Sequence, residues 1–103
     1  MFLQLNHKNL EVYKTSRELL KECYKVTFLL PAEERFNLTQ QIRRAALSVK
    51  LNIAEGASRR SENERKRYME IARGSVIEID AAVEAMYDLN YVTMPQLEQI
   101  GKL

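Results

Sequence analysis

Apolar residues recur at steps of three and four through three long stretches of the chain, which is the period of an amphipathic helix. In residues 10–30, Tyr13, Leu20, Cys23, Thr27 and Leu30 share one face, with Glu and Lys between them. Asn9 is placed to cap this helix. Pro31 disfavours a helical conformation at Leu30 and marks its end. The link over residues 31–37 is short and polar apart from Phe36, so the next element returns antiparallel to the first. A second helix begins near Phe36 to Leu38 and turns Leu38, Ile42, Ala45, Val49, Ile53 and Gly56 inward, with Gly56 as its stop. Ser61 and Glu64 then form a capping box, in which the hydroxyl accepts the Glu64 amide and the carboxylate reaches back to the Ser61 amide. It opens a third helix whose stripe is Tyr68, Ala72, Ser75 with Val76, Ile79, Val83 and Met86, running to about Asn90. Thr93 and Gln96 repeat the box with Pro95 in the first turn. The fourth helix opens near Met94, carries Leu97 and Ile100 inward, and reaches Leu103 after only about 15 Å.

These elements predict an all-α fold: one domain over residues 1–103, an antiparallel up-down-up-down four-helix bundle with helices at about 9–30, 37–56, 62–90 and 94–103. The fourth helix is short or truncated, so either the natural chain runs further or something else completes the bundle.

A second apolar face changes that picture. Residues advance about 100° each around a helix, which puts Leu47, Leu51 and Ala54 opposite the inner stripe of the second helix. On the third, Gly74, Ile77, Ala81 and Ala85 lie across from the core positions. Tight packing inside one bundle is one use for such a band. Because both helices show it, contact with another subunit is the expectation, and the seven residues form the candidate oligomer interface.

With 103 residues, 46% of them apolar and 29% charged, only three glycines and two prolines, the chain has the composition of one folded domain with a thin core. Its single cysteine, Cys23, forms no internal disulfide and reads as a small buried hydrophobe in a reducing, cytoplasmic setting. No signal peptide and no membrane span is visible.

Charge is distributed unevenly. Residues 42–79 hold nine basic residues against five acids, a net of +4, whereas the whole chain carries +2. The nine are Arg43, Arg44, Lys50, Arg59, Arg60, Arg65, Lys66, Arg67 and Arg73, and together they are the candidate nucleic-acid-binding set. Glu62 with Lys66, Glu64 with Arg67 and Glu70 with Arg73 stand three or four apart and can neutralise one another. Arg43, Arg44 and Lys50 have no acid at that spacing, so they meet solvent, another helix or an external anion. Arg59 and Arg60 flank a helix start, where free amides and the helix dipole favour a phosphate. Such a surface binds the backbone of RNA or DNA without reading bases, because Tyr68, Tyr87 and Tyr91 sit on helical patterns and build no stacking platform. The competing reading is a protein-interaction scaffold that binds no nucleic acid, with Arg43 and Arg44 pairing with Glu78 or Glu84 of a neighbouring subunit.

Asn52, Glu55 and Ser75 lie at or beside the core stripes and are expected to share a polar network between the second and third helices. Nothing converges for catalysis: His7 lies outside the helices, no Glu-x-x-His pair exists for a di-metal site, and Cys23 has no histidine partner. No enzymatic activity, metal or cofactor is expected.

The run Ser48-Val49-Lys50-Leu51-Asn52-Ile53-Ala54-Glu55-Gly56, with Arg59, Ser61, Glu64, then Ile71-Ala72-Arg73-Gly74-Ser75 and Glu78, resembles the bacterial 23S ribosomal RNA intervening-sequence proteins. That family is similar to the accessory variability protein of diversity-generating retroelements. The resemblance implies a four-helix bundle assembled as a homopentamer, a non-enzymatic role tied to nucleic acid, and a protein partner such as a reverse transcriptase. The fourth helix departs from it in being shorter than family members usually carry.

Overall fold

The computed structural model describes residues 6–101. A short 3-10 helix at Asn6–Asn9 leads into α1 (Glu11–Thr27), and a 3-10 turn at Ala32–Glu34 into α2 (Leu38–Ser58); α3 (Glu62–Asp88) and α4 (Met94–Gly101) follow. No strand occurs among the described residues. The fold is all-α, with four α-helices among the described residues, three of them long, and measures 45 × 26 × 23 Å.

The first helix starts two residues later than its pattern suggests. Asn9 belongs to the 3-10 helix, and Leu10, in extended conformation, takes the N-cap position without a side-chain hydrogen bond. Tyr13, Cys23 and Thr27 are buried as expected, joined by Ser16 and Val26. The hydroxyls survive there because Ser16 donates to the Tyr13 carbonyl (2.6 Å) and Thr27 to the Tyr24 carbonyl (2.7 Å). The helix closes at Thr27, three residues before the expected end. The amides of Phe28, Leu29 and Leu30 then bond carbonyls three residues back, the tightened last turn common at helix ends.

The central element is α2, which packs against α1 and against α3, while those two scarcely touch each other. Its buried set is Ile42, Ala45, Ala46, Val49, Ile53 and Gly56, and Leu38 is half-buried. Ala46 was not on the expected stripe; a helix with two neighbours must bury a wider arc. Gly56 does not stop the helix. A Cβ there would stand 2.9 Å from the Cβ of Tyr68, so the glycine is where α3 crosses closely, and the helix runs on to Ser58.

At the start of α3 the Ser61 hydroxyl accepts the Glu64 amide at 3.3 Å. Ala72, Ser75, Ile79 and Met86 are buried, and Tyr68 and Val83 half-buried. Val76, expected inside, is exposed, because α3 faces α2 alone and its buried arc is narrow. Asn90 adopts the left-handed conformation (φ 65°), with its amide on the Tyr87 carbonyl and that of Tyr91 on the Met86 carbonyl. This Schellman ending satisfies carbonyls that the last turn leaves open.

Gln96 caps α4 by accepting the Thr93 amide at 2.8 Å. Eight residues give it about 12 Å of length, and it rests on α1. Leu97 packs against the core, whereas Ile100 lies outside the residues whose side chains are described.

Candidate nucleic-acid interface

The nine basic residues do not gather into one patch. Arg43 and Arg44 sit near the start of α2, and Arg59 and Arg60 follow its end. Sixteen helical steps separate the two groups by about 24 Å. Arg43 is clamped onto α1: its Nε donates to Thr27 Oγ1 at 2.8 Å, and its guanidinium stands 4.6 Å from the Tyr24 ring and 5.1 Å from the Phe28 ring. Arg44 bonds the Gln41 amide oxygen at 3.0 Å. Lys50, half-buried, lies 5.6 Å above the Tyr13 ring. Of the three destinations open to these cations, Arg43 and Lys50 have taken a neighbouring helix.

The turn between α2 and α3 is built from arginine. Arg59 donates to Glu55 at 2.8 Å and to the Tyr68 hydroxyl at 3.1 Å, with its guanidinium 5.1 Å from that ring. Tyr68 first, working against partial desolvation, and then Glu55 raise the Arg59 pKa above its ordinary value. Its Nε is the one buried side-chain polar atom without a partner among the described residues. Arg65 donates to the carbonyls of Arg59 (3.0 Å) and Arg60 (2.7 Å) and so braces the turn. Lys66 with Glu62 (3.7 Å) and Arg73 with Glu70 (3.8 Å) make long, exposed pairs. The expected Glu64 to Arg67 pair is not formed at ion-pair distance.

The polar network has a different hub. Ser75 donates to Ser48 Oγ at 2.9 Å, and the Asn52 amide reaches both the Ser48 carbonyl (2.8 Å) and its Oγ (3.1 Å). Glu55 is absent from it, being turned outward to Arg59. Ser48 was missed because a serine three residues from one core position reads as surface; its four-residue step to Asn52 was the available signal.

Of the seven candidate interface residues, Leu47, Leu51 and Ile77 are 40%, 50% and 58% exposed, and Gly74 and Ala81 are exposed. Ala54 packs against the core and Ala85 is half-buried. A separate groove of about 1450 Å³ runs between α1 and α3, floored by Val49 and Ile53, with Asp80, Glu84 and Asp88 among its lining. Among the described residues, no group of three or more His, Cys, Asp or Glu side chains could hold a metal ion. Among the described residues, no helix is long and apolar enough to cross a membrane.

Fold and surface together define a small all-helical protein organised around one central helix, with its charged chemistry at the two ends of that helix. The chain belongs to the 23S rRNA-intervening sequence protein family, whose model matches residues 8–103. No curated protein matches it.

Proposed function

We propose that the protein is a non-catalytic, cytoplasmic homo-oligomer that holds the phosphate backbone of RNA or DNA on cations of α2 and of the α2–α3 turn. The observation that carries this reading is charge left over after internal pairing. Of the nine candidates, only Arg59, Lys66 and Arg73 have a carboxylate at ion-pair distance among the described residues. Arg60 and Arg67 are exposed, and neither guanidinium has a hydrogen-bond or ion-pair partner among the described residues. The family's tie to a ribosomal RNA insertion agrees with this reading, although being encoded in such an insertion requires no RNA contact.

Within each subunit the helices form an antiparallel up-down-up-down bundle. The contacts of Gly56 with Tyr68, Ser48 with Ser75 and Glu34 with Tyr91 (3.0 Å) step in opposite directions along the chain, as do Thr27 with Arg43 and Tyr13 with Lys50; both series support it. Exposed Leu47, Leu51 and Ile77 support subunit contact, and a homopentamer is the assembly the family resemblance favours.

Binding to a structured RNA and to duplex DNA is measured across a salt series, beside light scattering. Affinity should fall steeply with salt, and Arg60→Glu with Arg67→Glu should flatten the slope by about two without changing the mass. No binding at low salt refutes the proposal. A second reading, a scaffold that takes a protein partner, is favoured by the acid-edged apolar groove, and it predicts indifference to nucleic acid.

A further inference from the structure

The two most exposed large hydrophobic residues among those described are phenylalanines, and both stand at the corner where α1 gives way to α2. Phe28, at the C-cap of α1, is 78% exposed, and Phe36, just before α2, is 80% exposed. Each carries an arginine over its ring: Arg43 lies 5.1 Å from the Phe28 centroid, and Arg35 lies 5.3 Å from that of Phe36. Beside Phe36, and not lined by Phe28, is a shallow depression of about 470 Å³ lined by Tyr24, Arg35, Phe36, Arg43 and Arg44, among others. Three guanidinium groups line it and no carboxylate does. Glu34, the acid next to Arg35 in the chain, is held elsewhere by the Tyr91 hydroxyl and the Asn37 amide.

We propose that this corner is a stacking site for unpaired bases, with Phe28 and Phe36 as platforms and Arg35, Arg43 and Arg44 as phosphate ligands. The protein's nucleic-acid ligand is then single-stranded. This rests on the backbone-binding reading above and narrows it. Aromatic faces accept any base, and cations beside them track the backbone, which is the combination that sequence-tolerant single-strand binders use. Arg43 is preorganised for the task. Its Nε is committed to Thr27 and its plane is held by two rings, so little further order is lost when Nη1 and Nη2 donate to a phosphate. The same three cations oppose isologous contact with a second copy, because like charges would meet across the axis. A duplex gains little here, since its bases are already stacked and its edges lie in grooves.

The test is fluorescence anisotropy at low salt with labelled RNA and DNA single strands of about 12 nucleotides, and with the duplex of the same sequence. Single strands should bind more tightly than the duplex. Phe28→Ala with Phe36→Ala should lose about tenfold or more on single strands and little on the duplex. Phe28→Tyr with Phe36→Tyr should retain binding. Equal affinity for RNA and DNA is the result expected of stacking and phosphate contact; a preference for either shows that the sugar is also read, with the corner still required. A wild-type preference for duplex, or a double alanine variant that binds single strands as wild type does, overturns this inference and leaves backbone binding standing. No binding of any nucleic acid overturns both. Loss of mass by the alanine variant in light scattering assigns the rings to a subunit contact and overturns the stacking site.

Discussion

Two glycines on neighbouring helices offer a matched pair of substitutions with opposite expected signs. Alanine is the better helix former by about 0.8–1 kcal/mol in a helix interior, and this gain is available at both positions. At Gly74 nothing lies within 4 Å of an added Cβ, so Gly74→Ala should realise the whole of it. At Gly56 the new methyl would meet Tyr68 Cβ at 2.9 Å and Met69 Cε at 3.4 Å. The methionine end can swing away, but a Cβ moves only with its backbone, so α3 must retreat. Overpacking of this kind costs about 1–3 kcal/mol. Subtracting the propensity gain leaves Gly56→Ala between about neutral and about 2 kcal/mol destabilised. For a domain of this size each kcal/mol moves Tm by about 4–8 °C. Thermal and guanidinium unfolding at one fixed protein concentration should therefore place Gly74→Ala above wild type and Gly56→Ala at or below it, with unchanged m-values. If Gly56→Ala is stabilised as much as Gly74→Ala, the close crossing of α2 and α3 is wrong. Gly74→Leu adds a readout of assembly: it leaves a lone subunit folded, but it dissociates an oligomer that seats a neighbour at this glycine.

Asn90→Val should cost about 1–2 kcal/mol, since a β-branched residue pays the full left-handed penalty at φ 65°, whereas Asn90→Gly should be neutral or better; chemical denaturation separates them. Ser48→Ala should cost about 1–3 kcal/mol by leaving the Ser75 hydroxyl and one Asn52 bond unmade, and Ser48→Ala with Ser75→Ala should recover part of the loss. Burial, with Glu22 adding to it, pushes the Cys23 thiol up to about 11, so native protein should resist thiol reagents near neutral pH until it unfolds. An unfolded thiol titrates near 8.5. Above that value the unfolded chain gives up a proton that the folded chain keeps, so this group's contribution to stability falls as pH rises from about 8.5 to about 11, and is unaffected below; pH-dependent unfolding of Cys23→Ala beside wild type isolates it.

The residue pattern alone determined what depends on neighbours in sequence. Ser61 and Gln96 cap the helices whose starts their spacing marks, and Ile42, Ala45, Val49, Ile53, Ala72, Ile79 and Met86 are buried at the steps that named them. Periodicity reports angle around a helix, and angle is local. What it lacks is the number of neighbours and their distance, which belong to pairs of segments far apart in the chain. Gly56 therefore read as a stop although it is a crossing point, Ala46 was left off the core stripe although α2 has helices on two sides, and Val76 read as core although α3 has one. The cations follow the same rule. Their identity was legible, but only the tertiary structure divided them between the two ends of α2, stacked Arg43 on rings of another helix, and turned Glu55 away from Asn52 to Arg59, because each of those choices is a competition among partners that the folded chain brings within reach.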